Sequence, residues 1–181
     1  MFRNNTEIEV LDLRAFVSSN LVPQSFQGMT NLKELYVQPN ATTNTGSDAN
    51  LTNNTMTKME KVVLSWKFER IKRYSWAHAQ TATLIIGDAE HGSNLLSIAN
   101  YYGIRDSFKN LVLYATTPPY WHTSDSSFAK STGSAGSSCL PNNCKVYVPD
   151  SAVDAYKNSG AAMWGNFASR IYPISEFEGE L

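Results

Sequence analysis

One spacing of apolar residues recurs along the sequence, four times in full and twice in part: an apolar residue, a second three positions later, and a third two positions after that. The complete copies are Ile8, Leu11 and Leu13; Leu32, Leu35 and Val37; Met59, Val62 and Leu64; and Phe108, Leu111 and Leu113; the last two positions recur as Leu84 and Ile86, and as Val146 and Val148. Successive copies lie 22 to 27 residues apart, with a final interval of 35. A repeat of this length predicts a solenoid of stacked coils.

The end of each copy predicts a short strand. Side chains alternate between the two faces of a strand, so the last two positions of the spacing, which are two residues apart, point to the same side. One coil cannot bury this apolar face alone, whereas stacked coils share a core. We therefore predict a β-rich α/β fold: a right-handed leucine-rich-repeat solenoid with one short parallel strand per coil, a few short helices on the convex side and a C-terminal helical cap.

The segments that join the strands also repeat. LVPQSFQGMTNLKELYV places Leu21 and Phe26 before a turn and the next strand, and RIKRYSWAHAQTATLII repeats this arrangement with Ile71 and Trp76. The first of these segments resembles the unit of the BspA-like leucine-rich repeat family, IPxxAFxGCxxLKxLxV, with Met29 where the family has Cys. NLVLYATTPPYW and the stretch from VYVPDSAVDAYKNS to WGNFASRIYPIS are similar to that family's closing repeat and terminal element.

The resemblance covers most of residues 6 to 176 and breaks at residues 40–57 and 88–107. We predict a single domain over residues 1–181, with repeats over about 6–149 and a cap over about 150–176. The resemblance implies a surface or secreted adhesion module of a gut or oral bacterium.

The two breaks are interpreted differently. NATTNTGSDANLTNNTMT, residues 40–57, is almost entirely polar and predicts an exposed loop inserted into one coil. EHGSNLLSIANYYGIRDS predicts a helix, with Ser93 as N-cap, Gly103 as the stop, and an apolar face between them. That face consists of Leu95, Leu96, Ile98, Ala99 and Tyr102.

The C-terminal stretch from Lys145 to Glu176 is predicted to close the last coil, whose apolar core would otherwise meet water. Asp150 and Ser151 are the N-cap candidates of its helix and Gly160 is the stop. Inward-facing side chains are expected at Val153, Tyr156, Trp164, Phe167, Ile171 and Ile174. At the other end only MFRNNT precedes the first copy, so we expect either preceding repeats, or Phe2 and a neighbouring subunit, to cover the first coil.

Composition and charge exclude several classes of protein. The chain has 181 residues, of which 42% are hydrophobic and 17% charged, and it fits one globular domain. Its net charge is -1, and its densest basic run, KFERIKR, is interpreted as a solvated turn, so we expect no nucleic-acid partner. No apolar stretch reaches the ~20 residues of a membrane span, and MFRNNTEIEV has no apolar signal-peptide core.

Motifs for catalysis or metal binding are sparse, so no enzyme activity, metal or cofactor is predicted. His78, His91 and His122 lie far apart. Asp88 and Glu90 stand next to His91 in GDAEHGS, but solvated polar residues are the better interpretation of both this segment and HTSDSS around His122. The pair in SSCLPNNC, Cys139 and Cys144, is too sparse for a metal site, and a disulfide between the two residues is left open.

The strand positions between the inward residues form an outward column along the sheet. The column reads Asp12, Tyr36, Val63, Ile85, Val112 and Tyr147, and its neighbour reads Arg14, Gln38, Ser65, Gly87 and Tyr114. An exposed aliphatic stripe edged by tyrosines suits a protein partner. The predicted binding residues are Tyr36, Val63, Ile85, Val112, Tyr114 and Tyr147. The alternative, that β-branched residues merely suit parallel strands, stays open.

These features predict a non-catalytic module that binds a protein or glycan through its sheet, at the cell surface or after secretion. The alternative from another class is a structural or receptor-binding part of a phage particle or other assembly, located in the virion. A hydrolase that uses His91 or His122 is a third hypothesis without motif support.

Overall fold

The computed structural model describes residues 2–15, 26–38, 56–71, 83–99, 108–122, 140, 143–160 and 164–181. Within these residues the chain forms a parallel-strand β-solenoid with two parallel sheets. Side chains from both sheets meet in one apolar core. This finding confirms the β-rich solenoid that the repeated spacing predicts.

In the part of the chain that the structure describes, ten strands build the two sheets. They are β1 (Val10–Asp12), β2 (Glu34–Val37), β3 (Lys61–Leu64), β4 (Arg70–Ile71), β5 (Thr83–Ile86), β6 (Ser97–Ala99), β7 (Asn110–Leu113), β8 (Tyr120–His122), β9 (Lys145–Val148) and β10 (Ile171–Pro173). The large sheet has the order β1-β2-β3-β5-β7-β9-β10, and the small sheet has the order β4-β6-β8.

The inward positions of the repeated spacing lie on neighbouring strands in register. Leu35 on β2 is opposite Val62 on β3, which is in turn opposite Leu84 on β5, and the ladder continues through Leu111 and Val146. All five side chains are fully buried in the shared core. The period-2 alternation of the strands and the stacking of coils therefore place these residues as the sequence predicts.

The prediction of one strand per coil is wrong for three coils, which also contribute β4, β6 and β8. The prediction of a helix that begins near Ser93 is also wrong, because Ser97–Ala99 is strand β6. Leu96 donates its backbone N–H to the carbonyl of Glu69 on the preceding coil at 2.8 Å. The backbone is thus paired between coils instead of within a helix. Tyr102 and Gly103 lie outside the described residues.

The spacing of the apolar residues at positions 95 and 98 is compatible with a strand as well as with a helix. Leu95 and Ile98 are buried, whereas Leu96 is 51% exposed. The Ser93 hydroxyl accepts a hydrogen bond from the backbone N–H of Leu95 at 3.2 Å, as in a short turn, and does not cap a helix.

The C-terminal cap is present, with four of its predicted inward residues fully buried. It consists of a 3-10 helix (Asp150–Ala152), helix α1 (Val153–Lys157), a second 3-10 helix (Trp164–Arg170), β10 and a third 3-10 helix (Ile174–Glu176). The buried residues are Tyr156, Trp164, Phe167 and Ile171, and Val153 is partly buried against the core. The cap also adds β10 to the large sheet, which the sequence did not predict.

Hydrogen bonds join the cap to the preceding coil. The Tyr156 hydroxyl donates to the carbonyl of Ala115 at 2.9 Å, and Nε1 of Trp164 donates to the carbonyl of Pro119 at 2.7 Å. The rings of Trp164 and Trp121 are 4.9 Å apart between centroids. Aromatic packing and two buried hydrogen bonds therefore hold the cap on the solenoid.

The predicted boundaries of the cap helix need correction. Neither Asp150 nor Ser151 caps it: Pro149 precedes the 3-10 helix, Ala152 precedes α1, and neither position makes a side-chain capping hydrogen bond. Helix α1 ends at Lys157 with Asn158 as its C-cap, so Gly160 lies beyond the helix in the following turn.

Three smaller predictions concern residues that the structure describes in part. Phe2 packs against the core and stacks on Phe26 with 6.2 Å between ring centroids, so it covers part of the first coil. Met56, expected within an exposed loop, is buried, and the rest of that loop up to residue 55 is outside the described residues. Cys144 is a free, buried thiol, and Cys139 is outside the described residues.

Candidate functional site

The predicted outward residues form one column across the large sheet. The register pairs Asp12 with Tyr36, and the series continues through Val63, Ile85 and Val112 to Tyr147. We call this series the central column, and the side of the large sheet that carries it the outer face. The central column continues onto β10, where Tyr172 is opposite Tyr147.

The middle of the central column is not exposed as predicted. Ile85, Val112 and Tyr147 are 2%, 0% and 7% exposed and form an apolar cluster separate from the main core. Val63 and Tyr114 pack against this cluster and are partly buried, and Tyr36 is also partly buried. The six predicted binding residues therefore share one face, but three of them are already covered.

Residues 174–181, which we call the C-terminal segment, supply part of this cover. Ile174 and Phe177 pack against the cluster, together with Tyr172. The Phe177 ring lies edge-on to the Tyr147 ring, with centroids 4.9 Å apart. The prediction that Ile174 faces the inner core is therefore wrong: β10 ends at Pro173, and the chain beyond it turns onto the outer face.

A polar contact fixes the start of the C-terminal segment. The backbone N–H of Ser175 donates to Oδ1 of Asp150 at 3.2 Å, and that of Phe177 donates to the carbonyl of Ile174 at 2.9 Å. Hydrogen bonds from the Ser175 side chain and backbone lower the pKa of the Asp150 carboxyl. Asp150 therefore anchors this segment and leaves the helix uncapped.

Charged residues lie beside the central column, two residues before it on their strands. Lys61 lies 3.3 Å from a carboxylate oxygen of Glu34 and 3.8 Å from one of Glu180 in the C-terminal segment. The hydroxyl of Tyr36 donates to the same Glu34 carboxylate at 2.6 Å. Burial opposes the charge of Lys61, but hydrogen bonds with Tyr36 and Glu34 outweigh it and raise its pKa. Lys145, on β9, has its ammonium 5.8 Å from the Tyr172 ring centroid.

A charged pair, Asp12 and Arg14, lies at the β1 end of the central column. Arg14 binds both carboxylate oxygens of Asp12, at 2.6 to 3.1 Å, and its guanidinium lies 4.6 Å from the Tyr36 ring centroid. The hydrogen bonds from Arg14 lower the pKa of Asp12. This end of the outer face is therefore polar, whereas its middle is apolar.

The segment around His91 is a structured turn. Oδ1 of Asp88 accepts the backbone N–H groups of Glu90 and His91 at 3.0 and 2.8 Å, and it lies 2.9 Å from Nδ1 of His91. Burial opposes the charge of Asp88, but the His91 contacts outweigh it and lower its pKa. The imidazole stacks on Trp66 at 5.0 Å. These contacts account for the residue types without invoking a reaction.

Of the three histidines, the structure describes the side chain of His91. His91 is in the turn, His122 ends β8, and His78 is outside the described residues, as is the side chain of His122. The described residues contain no group of three His, Cys, Asp or Glu side chains that could hold a metal ion.

Two sequence comparisons found no match. No protein-family model matches the sequence, and no curated protein matches it significantly. Among the described residues, no helix has the length and apolar character that crossing a membrane requires.

Sequence reasoning missed four residues of the outer face. Lys61 and Lys145 stand two positions before the central column on their strands, so the period-2 alternation was a usable signal for them. Tyr172 and Phe177 follow the last copy of the repeated spacing and have no place in it. Their position on the outer face depends on how the cap returns the chain to the sheet.

Proposed function

We propose that this chain is a non-catalytic binding module of the BspA-like leucine-rich repeat type, which engages a protein or glycan through the outer face of its large sheet. The resemblance of LVPQSFQGMTNLKELYV to that family's unit supports the proposal, as does the stacking of the coils. The same resemblance supports a location at the cell surface or after secretion and a right-handed leucine-rich-repeat path.

The apolar cluster on the outer face is the observation that carries this proposal. The inner core is one apolar cluster, and Ile85, Val112 and Tyr147 form a second one on the other side of the sheet. Tyr114 and Tyr172 pack against this cluster, and Lys61 and Lys145 stand two positions before the central column on their strands. Aromatic side chains around an apolar centre are typical of protein-binding surfaces.

A capture experiment tests this function. The full chain, immobilised on beads, is incubated with a surface-protein extract and, separately, with a glycan array. We expect Val63→Lys to abolish capture, because it places a charge in the apolar column, and Tyr36→Lys to weaken it. Leu96→Lys is the matched control, since Leu96 is an exposed apolar residue outside the large sheet.

Thermal unfolding of each variant separates lost binding from lost structure. The proposal requires that Val63→Lys remain folded and lose a ligand that Leu96→Lys still captures. Equal capture by all three variants and the unchanged protein would show that the outer face is not the binding surface.

A further inference from the structure

We propose that the C-terminal segment is a tethered occupant of the binding face, and that the external ligand is a peptide of the same character: an aromatic residue flanked by acidic ones. This inference rests on the proposed function and names its ligand class. The sequence of the segment is ISEFEGEL, in which Phe177 stands between Glu176 and Glu178.

The apolar contact supplies the first argument. Phe177 is the aromatic side chain that reaches from the C-terminal segment onto Tyr147, and Ile174 joins the same cluster. Both residues thus occupy the surface on which the proposed function depends. An incoming peptide gains access to this part of the surface only by replacing them.

Charge complementarity supplies the second argument. The segment carries Glu176, Glu178 and Glu180, while the outer face presents Lys61 and Lys145. Glu176 and Glu178 line a shallow pocket with Lys145, and Glu180 approaches Lys61 at 3.8 Å. Lysines beside an apolar, tyrosine-bearing column favour a ligand that combines aromatic and acidic side chains.

The segment is held mainly by side chains, so its displacement breaks few main-chain bonds. Among the described residues, the backbone N–H of Phe177 bonds within the segment itself, to Ile174, and no main-chain bond joins residues 177–181 to the large sheet. The side chain of Glu180 is 92% exposed and Leu181 is 58% exposed. By contrast, each strand of the large sheet is paired along a parallel ladder. The segment is therefore the part of the outer face that a competitor can replace.

A fluorescent peptide with the sequence of residues 174–181 tests this inference on the full chain by fluorescence anisotropy. A short tether holds its end at an effective concentration of about 1 mM, so binding of the free peptide to the unchanged chain should be weak. Phe177→Ala in the chain removes the anchor of the tethered competitor. We expect roughly tenfold tighter peptide binding to this variant, in line with the loss of one aromatic contact.

A second chain variant and two altered peptides protect this test from a folding defect. Glu180→Lys changes an exposed residue and should tighten peptide binding two- to fivefold, the range of a surface ion pair. A peptide carrying Phe177→Ala should not bind. A peptide with glutamine at all three glutamate positions should bind more weakly, and its binding should respond less to added salt.

Two results would overturn the inference. The first is a folded Phe177→Ala chain that binds the peptide no better than the unchanged chain. The second is concentration-dependent dimerisation of the unchanged chain that Phe177→Ala abolishes, because the segment of a second copy would then be the occupant.

The capture experiment distinguishes this failure from failure of the proposed function. A ligand lost in Val63→Lys but captured equally by the unchanged and Phe177→Ala chains would overturn the tethered-occupant inference and leave the proposed function standing. Increased capture by Phe177→Ala supports both.

Discussion

Trp164→Phe should destabilise the protein by about 2 kcal/mol more than Trp121→Phe, although both substitutions remove the same atoms. The two indoles are buried and touch each other, so the loss of their mutual contact enters both measurements. They differ in their N–H groups. Nε1 of Trp164 donates to the carbonyl of Pro119, whereas Nε1 of Trp121 is buried without a hydrogen-bond partner among the described residues.

The magnitude follows from these two environments. Each substitution removes roughly 40 Å³ of side chain, which costs about 1 kcal/mol if the cavity stays open. Trp164→Phe also leaves the buried carbonyl of Pro119 without its donor, a cost of about 1–3 kcal/mol. Trp121→Phe removes an unpaired polar group and has no such cost. The hydrogen bond therefore accounts for most of the expected difference.

Urea unfolding followed by far-UV circular dichroism provides the assay. The chain contains four tryptophans, so intrinsic fluorescence would change with the substitutions themselves. We expect both variants to share the denaturant dependence of the unchanged protein and to differ in midpoint. Equal midpoints, or a lower midpoint for Trp121→Phe, would refute the expected contribution of the Trp164 hydrogen bond to stability.

Three further predictions concern the backbone, a thiol and a carboxylate. Gly87→Ala should lower the free energy of unfolding by at least ~2 kcal/mol, because Gly87 has φ +92° and an added Cβ would clash with backbone. The control Gly160→Ala, with open space around the added Cβ, should change the free energy of unfolding by no more than about 0.5 kcal/mol. Equal losses of stability in the two variants would contradict this prediction. Burial raises the pKa of Cys144 to about 12, so iodoacetamide at pH 8 should alkylate Cys144 only as the protein unfolds. Mass spectrometry of the peptide that contains Cys144 measures the extent of alkylation. Rapid alkylation of the native protein would show that the thiol is accessible. The contact with Ser175 lowers the pKa of Asp150 from 3.8 in the folded protein, so it stabilises the fold above pH 3.8, and this stabilisation is lost as the pH falls through the lower pKa of the folded state. Asp150→Asn should therefore make the urea midpoint less dependent on pH between pH 5 and 2. An unchanged pH dependence would exclude this contact as a contributor to stability.

The stacking of the inward residues could be predicted because it depends on local periodicity repeated along the chain. The alternation around Leu35, Val62 and Leu84 indicates which side chains point inward, and the repeat interval indicates which coils are neighbours. The same alternation predicts the register of Tyr36, Val63 and Ile85 on the other face. The sequence therefore predicts which residues of neighbouring strands lie opposite each other.

The small sheet was not predictable from the same pattern. The residues around Ile98 satisfy a helical spacing locally, and only pairing with neighbouring coils decides for β6. Arg70 pairs with Ser97, and Ser97 with Tyr120, across intervals that the local sequence does not encode. Inter-coil hydrogen bonds outweighed helix propensity here.

The cover of the outer face depends on a long-range return of the chain. Nothing near Phe177 repeats an earlier pattern, and its neighbours in sequence are acidic. Its ring reaches Tyr147 only because β10 extends the sheet and the following turn crosses its edge. The sequence could therefore suggest an apolar column but not that part of it is buried.

Site-specific photocrosslinking tests most directly whether the outer face is the binding surface. A benzophenone amino acid replaces Tyr36 in one variant of the full chain and Leu96, outside the large sheet, in another, and each variant is irradiated in the surface-protein extract. We expect a discrete crosslinked product from position 36 and none from position 96. A product from position 96 with none from position 36 would contradict the account.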